Sequence, residues 1–225
     1  MAKHHKTQLM KKLSYFTFAC AVILGLVSCG GGKEKIGEEE IPEASNPFEA
    51  IANMGKAMEK GANALQEKIK ERQAKGDTLA MPYEELMKYL PGSIDGYTKG
   101  KTDGATVNMM GASYSNANVT FENDKNERIK IQLVDYNAAY SMYSTLTAMW
   151  AMGMSIDTPD EKANGVKLEG DIGGWEVYKK KSKDVNLTLG IGYRFWLNIE
   201  ADNQDNTDFV KSIAKSMDLD KLSGL

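Results

Sequence analysis

Between Val119 and Ile199 apolar side chains recur at every second position in short runs: Val119 and Phe121, then Ile129, Ile131 and Leu133, then Val166 and Leu168, Trp175 and Val177, Val185, Leu187 and Leu189, and finally Tyr193, Phe195, Leu197 and Ile199. A period of two sends alternate side chains to opposite faces of an extended chain, so each run predicts a half-buried β-strand. The segments between several of them, Asn123-Asp124-Lys125-Asn126, Lys183-Asp184 and Gly190-Ile191-Gly192, are polar or glycine-rich and short. They suit hairpins and are too brief for the crossover that a parallel pair requires. One antiparallel sheet follows.

Elsewhere the apolar spacing changes to three and four, the period of a helix. Asn46-Pro47-Phe48-Glu49 reads as an N-cap, a proline at the first helical position and the acid of a capping box. Ile51, Met54, Met58, Ala62, Leu65 and Ile69 then form a stripe, and Gly76 ends it. Shorter helices are predicted from Pro82 to Tyr89, stopped by Pro91-Gly92, and from Asn206 or Thr207 through Phe209, Val210, Ile213, Ala214 and Met217. Another runs from Asn137 to Met152 through Tyr140, Tyr143, Leu146, Met149 and Trp150. The resulting class is α+β: a single antiparallel sheet with packed helices, preceded by a long N-terminal helix and a flexible tether.

The first 28 residues have a different character. Lys3, His4, His5, Lys6, Lys11 and Lys12 precede an apolar run from Leu13 to Val27, with Ser28 ahead of Cys29. This is the layout of a secretory signal, and the run falls short of the ~20 apolar residues that span a bilayer as a helix. Leu26-Val27-Ser28-Cys29 resembles the lipobox of bacterial lipoproteins. The resemblance implies cleavage before Cys29, a diacylglycerol on its sulfur and an acyl chain such as palmitate on the new amino terminus. Gly30 in place of Asp resembles the sorting pattern that sends Gram-negative lipoproteins to the outer membrane. Two or more acyl chains suffice for stable anchoring, at about 0.8 kcal/mol per buried CH₂. The expected organisation is a signal over 1–28, a tether over 29–45, a long amphipathic helix over 46–76 and a globular α+β domain over 77–225.

Removing the signal changes which reactions remain open. Both histidines and Cys20 leave with it, and so do four lysines with no acid, so the balance of 28 Lys+Arg against 31 Asp+Glu moves from −3 to −7. Without imidazole no Ser-His-Asp or Cys-His site can be assembled, nor a His-bearing zinc or haem site. With Cys29 alone left, neither an internal disulfide nor a CxxC pair can form. No cofactor is implied. An acidic body of this kind also lacks the positive field by which nucleic-acid binders work, so no nucleic-acid partner is expected.

Over residues 90–222 the order of elements resembles the Mog1/PsbP-like α/β/α sandwich, through Leu90-Pro91, Gly96-Tyr97, Ala117 to Phe121, the Arg194-containing strand and Asp218-Leu219-Asp220-Lys221-Leu222. Members of that architecture do different jobs, so the resemblance implies a fold and assigns no active residue.

Tyr136, Tyr140, Tyr143 and Trp150 fall at steps of four, three and seven, which lines them along one helix face. Burial against the sheet accounts for such a stripe; aromatics left exposed beside a groove would suit a peptide, a glycan or a small apolar ligand. Met149, Met152 and Met154 are soft ligands of the kind that hold Cu(I), although methionine more commonly fills irregular core space. Asp202, Asp205 and Asp208 offer oxygens to calcium, but their spacing is not that of an EF-hand loop, and a turn followed by a helix start explains them. The basic run Lys179 to Lys183 lies at a hairpin end, where lysines solvate the turn. The expected function is a membrane-anchored envelope lipoprotein acting as a non-enzymatic binding or accessory module for an envelope protein, a glycan or a small apolar ligand. The alternatives are an envelope enzyme working through carboxylates or tyrosine, and a Met-rich Cu(I)-binding protein.

Overall fold

A computed structural model describes residues 47–109, 112–137, 139, 143 and 155–225. Eight strands form one open antiparallel sheet in the order β1-β2-β3-β8-β7-β6-β5-β4. Their ranges are β1 Thr98–Met109, β2 Ala112–Glu122, β3 Arg128–Asp135, β4 Ser155–Asp157, β5 Glu161–Lys167, β6 Ile172–Lys179, β7 Asp184–Ile191 and β8 Phe195–Ala201. Two meanders, β1 to β3 and β4 to β8, join where β3 pairs with β8, with Ile131 opposite Ile199 and Leu133 opposite Leu197. The α+β class and the single antiparallel sheet expected from the alternation are therefore present.

Alternation also selects the face that packs. Val119, Phe121, Ile129, Leu133, Leu189, Leu197 and Ile199 point to one side and are fully buried. Helix α2 (Tyr83–Leu86, continued as a 3₁₀ turn over Met87–Tyr89), α3 (Asp208–Ser216) and α4 (Leu219–Ser223) close over them through Leu86, Leu90, Val210, Ile213, Ala214 and Leu222. Each such aliphatic side chain contributes roughly 1.5–3 kcal/mol on burial. Gly104 allows α2 to lie directly on β1, because a Cβ there would stand 2.6 Å from the Asn116 carbonyl and 2.8 Å from the Tyr83 ring.

Strands β1 and β4 carry no clear alternation in sequence, and neither was expected. Strand β1 is an edge strand of 12 residues, exposed through most of its length, so it has no buried face to write a pattern. The loop expected at Gly190-Ile191-Gly192 lies at 192–194 instead: β7 continues through Ile191, and Gly192 and Tyr193 take φ of 59° and 54°. Positive φ at both central positions is the geometry of a type I′ hairpin turn, closed here by the Arg194 amide donating to the Ile191 carbonyl at 3.1 Å.

Helix α1 (Pro47–Ala74) begins on its proline and ends one turn after Leu65 and Ile69. The Gly76 amide donates to the Gln73 carbonyl at 3.0 Å and the Asp77 amide to the Arg72 carbonyl at 2.9 Å, with Gly76 at φ 77°. This is a Schellman cap, the stop that a glycine after a helix signals. The expected stripe is met in part: Leu65 is buried and Ile69 half-buried, whereas Met58 and Ala62 are exposed, and Arg72 is buried beyond it. Arg72 in the last turn and Asp77 just after the cap tie this end of α1 to the sheet side of the molecule. The side chains of Ile51 and Met54 and the helix predicted over 137–152, apart from Asn137, Ala139 and Tyr143, lie outside the described residues. So do the signal, Cys29 and the tether.

Candidate binding face

The sheet has a second face, where amide and charged residues stand beside apolar ones, Trp175, Val177 and Trp196 half-buried and Val134 buried. Register across neighbouring strands builds one row from Trp175 through Thr188, Asn198, Gln132 and Asn118 to Asp103. A parallel row runs from Val177 through Asn186, Glu200 and Lys130 to Thr120. On the other side, Gly173, Gly190, Trp196, Val134, Asn116 and Ala105 form a third. All are out of phase with the core residues of the same strands, which places them opposite the core.

Amides hold part of this surface together. Asn186 Nδ2 donates to Asn198 Oδ1 at 2.7 Å, and the Thr188 hydroxyl lies 3.0 Å from both Asn186 Oδ1 and Asn198 Oδ1. Asn198 Nδ2 in turn donates to Glu200 Oε1 at 3.2 Å. Two strands away, Asn118 Nδ2 reaches Asp103 Oδ1 at 2.9 Å and Asn116 Oδ1 at 3.3 Å. Between these two groups sits Gln132, half-buried, whose side-chain amide makes no hydrogen bond among the described residues. The charges are balanced at the margins: Lys130 stands 4.0 Å from Glu200, and Lys101 3.0 Å from Asp103. Hydrogen bonds from Lys101 and Asn118 hold the Asp103 carboxyl below the usual range, so it is ionised at neutral pH.

A separate cluster is buried at one end of the core face. The Asp135 carboxylate accepts four hydrogen bonds: Arg194 Nε at 2.9 Å and the Asn137 amide at 2.9 Å on Oδ1, and Arg194 Nη2 at 2.7 Å and the Met81 amide at 2.8 Å on Oδ2. Arg194 Nη1 reaches Asp77 Oδ2 at 2.7 Å. The Asn137 side chain donates to Asp77 Oδ1 and the Leu79 carbonyl and accepts from Arg72 Nε at 2.8 Å. Ser113 Oγ accepts from the Ala80 amide, and Ser115 Oγ donates to the Met81 carbonyl. Burial pulls the Arg194 guanidinium down, but Asp135 and Asp77 outweigh it and the net direction is up. The bonds to Asp77, Leu79, Ala80 and Met81 fasten the segment 77–82 between α1 and α2 to the sheet, while the Arg194–Asp135 pair joins β3 to the start of β8, which makes this a structural clasp.

The residues singled out in sequence are distributed as follows. Tyr136 is half-buried, and burial followed by the neighbouring Tyr114 pushes its hydroxyl pKa up. Tyr143 is buried, and its pKa is also driven up, chiefly by burial and then by Tyr193. Tyr140, Trp150, Met149, Met152 and Met154 lie outside the described residues. The three aspartates are engaged separately: Asp202 Oδ2 accepts from the Arg128 amide at 3.1 Å, Asp205 pairs with Lys183 at 2.8 Å, and Asp208 pairs with Lys211 at 3.0 Å. Among the described residues no three His, Cys, Asp or Glu side chains come together to hold a metal ion. Within the basic run Lys180, Lys181 and Lys183 pair with Asp157, Asp160 and Asp205.

The amide rows and the Asp135–Arg194 clasp were not anticipated. Both depend on strand register and on a contact 59 residues apart in sequence; the local signal was the run of Asn in strands, where Asn is ordinarily depleted. Searches against protein-family models, curated proteins and solved structures find no match to this chain.

Proposed function

We propose that this chain is a lipoprotein of the cell envelope, attached through lipid on Cys29 to the outer membrane of a Gram-negative bacterium, and that it works as a non-enzymatic binding module. The order of basic residues, apolar run, Ser28 and Cys29 supports the anchor. Residues 29–45 serve as the tether between the anchor and the domain, and α1 packs on that domain.

The observation that carries the binding reading is the second face of the sheet. Asn116, Asn118, Asn186, Asn198 and Gln132 occupy central strands with hydrogen-bonding groups turned away from the core. Placing such residues in strands works against local propensity, and conflicts of that kind concentrate at functional surfaces.

Two measurements test the reading. Cys29→Ala moves the chain from the membrane fraction to the soluble envelope fraction; unchanged retention contradicts the anchor. A photo-crosslinking residue at Gln132 forms a higher-mass adduct in intact cells, and the same residue at Lys125, exposed in the β2–β3 turn, does not. Equal adducts from both positions, or none from either, contradict the binding face.

A further inference from the structure

We infer that the second face takes an uncharged polysaccharide chain, lying across the strands along the row from Trp175 to Asp103. The inference rests on the binding-module reading above and names its ligand class.

The polar groups of the row determine the chemistry. Amides present an N–H donor and a C=O acceptor side by side, and a sugar hydroxyl likewise donates and accepts. Gln132, at the centre, has both ends of its amide without a protein partner among the described residues, and the indole N–H groups of Trp175 and Trp196 make no hydrogen bond there either. An anionic ligand would meet acceptors as well as donors: Asn186 Oδ1, Asn198 Oδ1 and the carboxylates of Glu200 and Asp103 all face this side. An apolar ligand would cover the Gln132 amide without satisfying it. Among the described residues, the charges beside the middle of the row are the Lys130–Glu200 and Lys101–Asp103 pairs, each neutral in sum, and Lys167, opposite Gly173, stands beside its Trp175 end. Neutral hydroxyls fit all of these groups.

Shape and length point the same way. Trp175 supplies a flat aromatic surface at one end, suited to the C–H face of a sugar ring. Gly165, its cross-strand neighbour on β5, has open space where a Cβ would stand, so the indole is not walled in on that side. From Trp175 on β6 to Asp103 on β1 the row crosses six strands, a span of about 24 Å at about 4.8 Å per step. That length accommodates several linked sugar units in extended form.

The test uses the purified full chain titrated with cellohexaose, chitohexaose, maltohexaose and, as an acidic comparator, hexagalacturonate, followed by calorimetry and tryptophan fluorescence. At least one neutral hexamer is expected to bind saturably with Kd of about 1 mM or tighter. Gln132→Ala and Trp175→Ala are each expected to weaken that binding about tenfold, the loss of roughly one hydrogen bond or stacking contact. Lys125→Ala leaves it unchanged. Gln132→Thr, which retains strand propensity but not the amide, shows the same loss should the alanine variant unfold. Three results overturn the assignment: no neutral hexamer binds, hexagalacturonate binds tighter than all three, or binding is unchanged in the Gln132 and Trp175 variants. If membrane retention still depends on Cys29 and the Gln132 crosslink still forms, such results remove the glycan and leave the anchored binding module standing.

Discussion

The Arg194 guanidinium lies against the Asp135 carboxylate in a two-point pair, Nε to Oδ1 at 2.9 Å and Nη2 to Oδ2 at 2.7 Å, with Asp135 wholly buried and Arg194 5% exposed. Phe195, next in the chain, places its ring 4.8 Å beneath the same guanidinium. The pair joins the end of β3 to the start of β8, the seam between the two meanders. Breaking one side of a buried pair leaves the other charge uncompensated, which costs about 3–5 kcal/mol. Asp135→Ala should lower unfolding stability by that amount in urea titration, since the Met81 and Asn137 amides lose their acceptor too. A change below about 1 kcal/mol, the value of an exposed pair, would show that the seam is held by apolar packing alone.

Gly192 is required twice. Its φ of 59° favours glycine, and a Cβ there would stand 2.8 Å from the Ser223 carbonyl oxygen and 3.0 Å from Ser223 Cα. Gly76 has a similar φ of 77° with open space around it. Gly76→Ala should therefore cost about 1 kcal/mol, the left-handed penalty alone. Gly192→Ala should cost about 1–3 kcal/mol more, through displacement of α4. Ending the chain after Leu222 should bring the two penalties together in thermal unfolding; a persistent gap would place the clash elsewhere.

Stability is expected to decline at alkaline pH. Burial raises the hydroxyl pKa of Tyr143 and Tyr136 above the unfolded value of about 10. The native state therefore keeps protons that the unfolded state releases above that pH. The contribution is fully present below about pH 10 and is lost as pH rises toward the native pKa values. Tyr143→Phe should flatten the fall in urea midpoint between pH 10 and 12, at an expense of about 1 kcal/mol at neutral pH for the lost hydroxyl. An identical alkaline slope in both proteins would remove Tyr143 as its source.

Arg72 ties the last turn of α1 to the sheet. Its Nε donates to Asn137 Oδ1 at 2.8 Å and its Nη2 to the Tyr193 carbonyl at 3.4 Å. Arg72→Met keeps the apolar stem and removes both bonds, at an expected expense of about 1.5–3 kcal/mol. Hydrogen exchange should quicken first in α1, with β3 and β8 keeping their protection. Uniform acceleration across helix and strands would instead mean that α1 opens only with the whole domain.

Sequence alone determined the elements whose pattern is local. Alternation at Ile129 to Leu133 and Val185 to Leu189 specified strands and their buried face; the four-residue turn at Asn123 specified a hairpin; Gly76 specified the end of α1. These features were legible because a strand's two faces and a helix cap are set by neighbours a few residues away. Tertiary structure decided the rest. Strand β1 became the edge of the sheet without a pattern to mark it, and Met58 stayed exposed where a stripe was expected to bury it. The row from Trp175 to Asp103 draws one residue from each of six strands, and Asp135 meets Arg194 from 59 positions away. No single stretch of chain encodes those neighbours, because register and strand order depend on how the whole apolar face is buried at once.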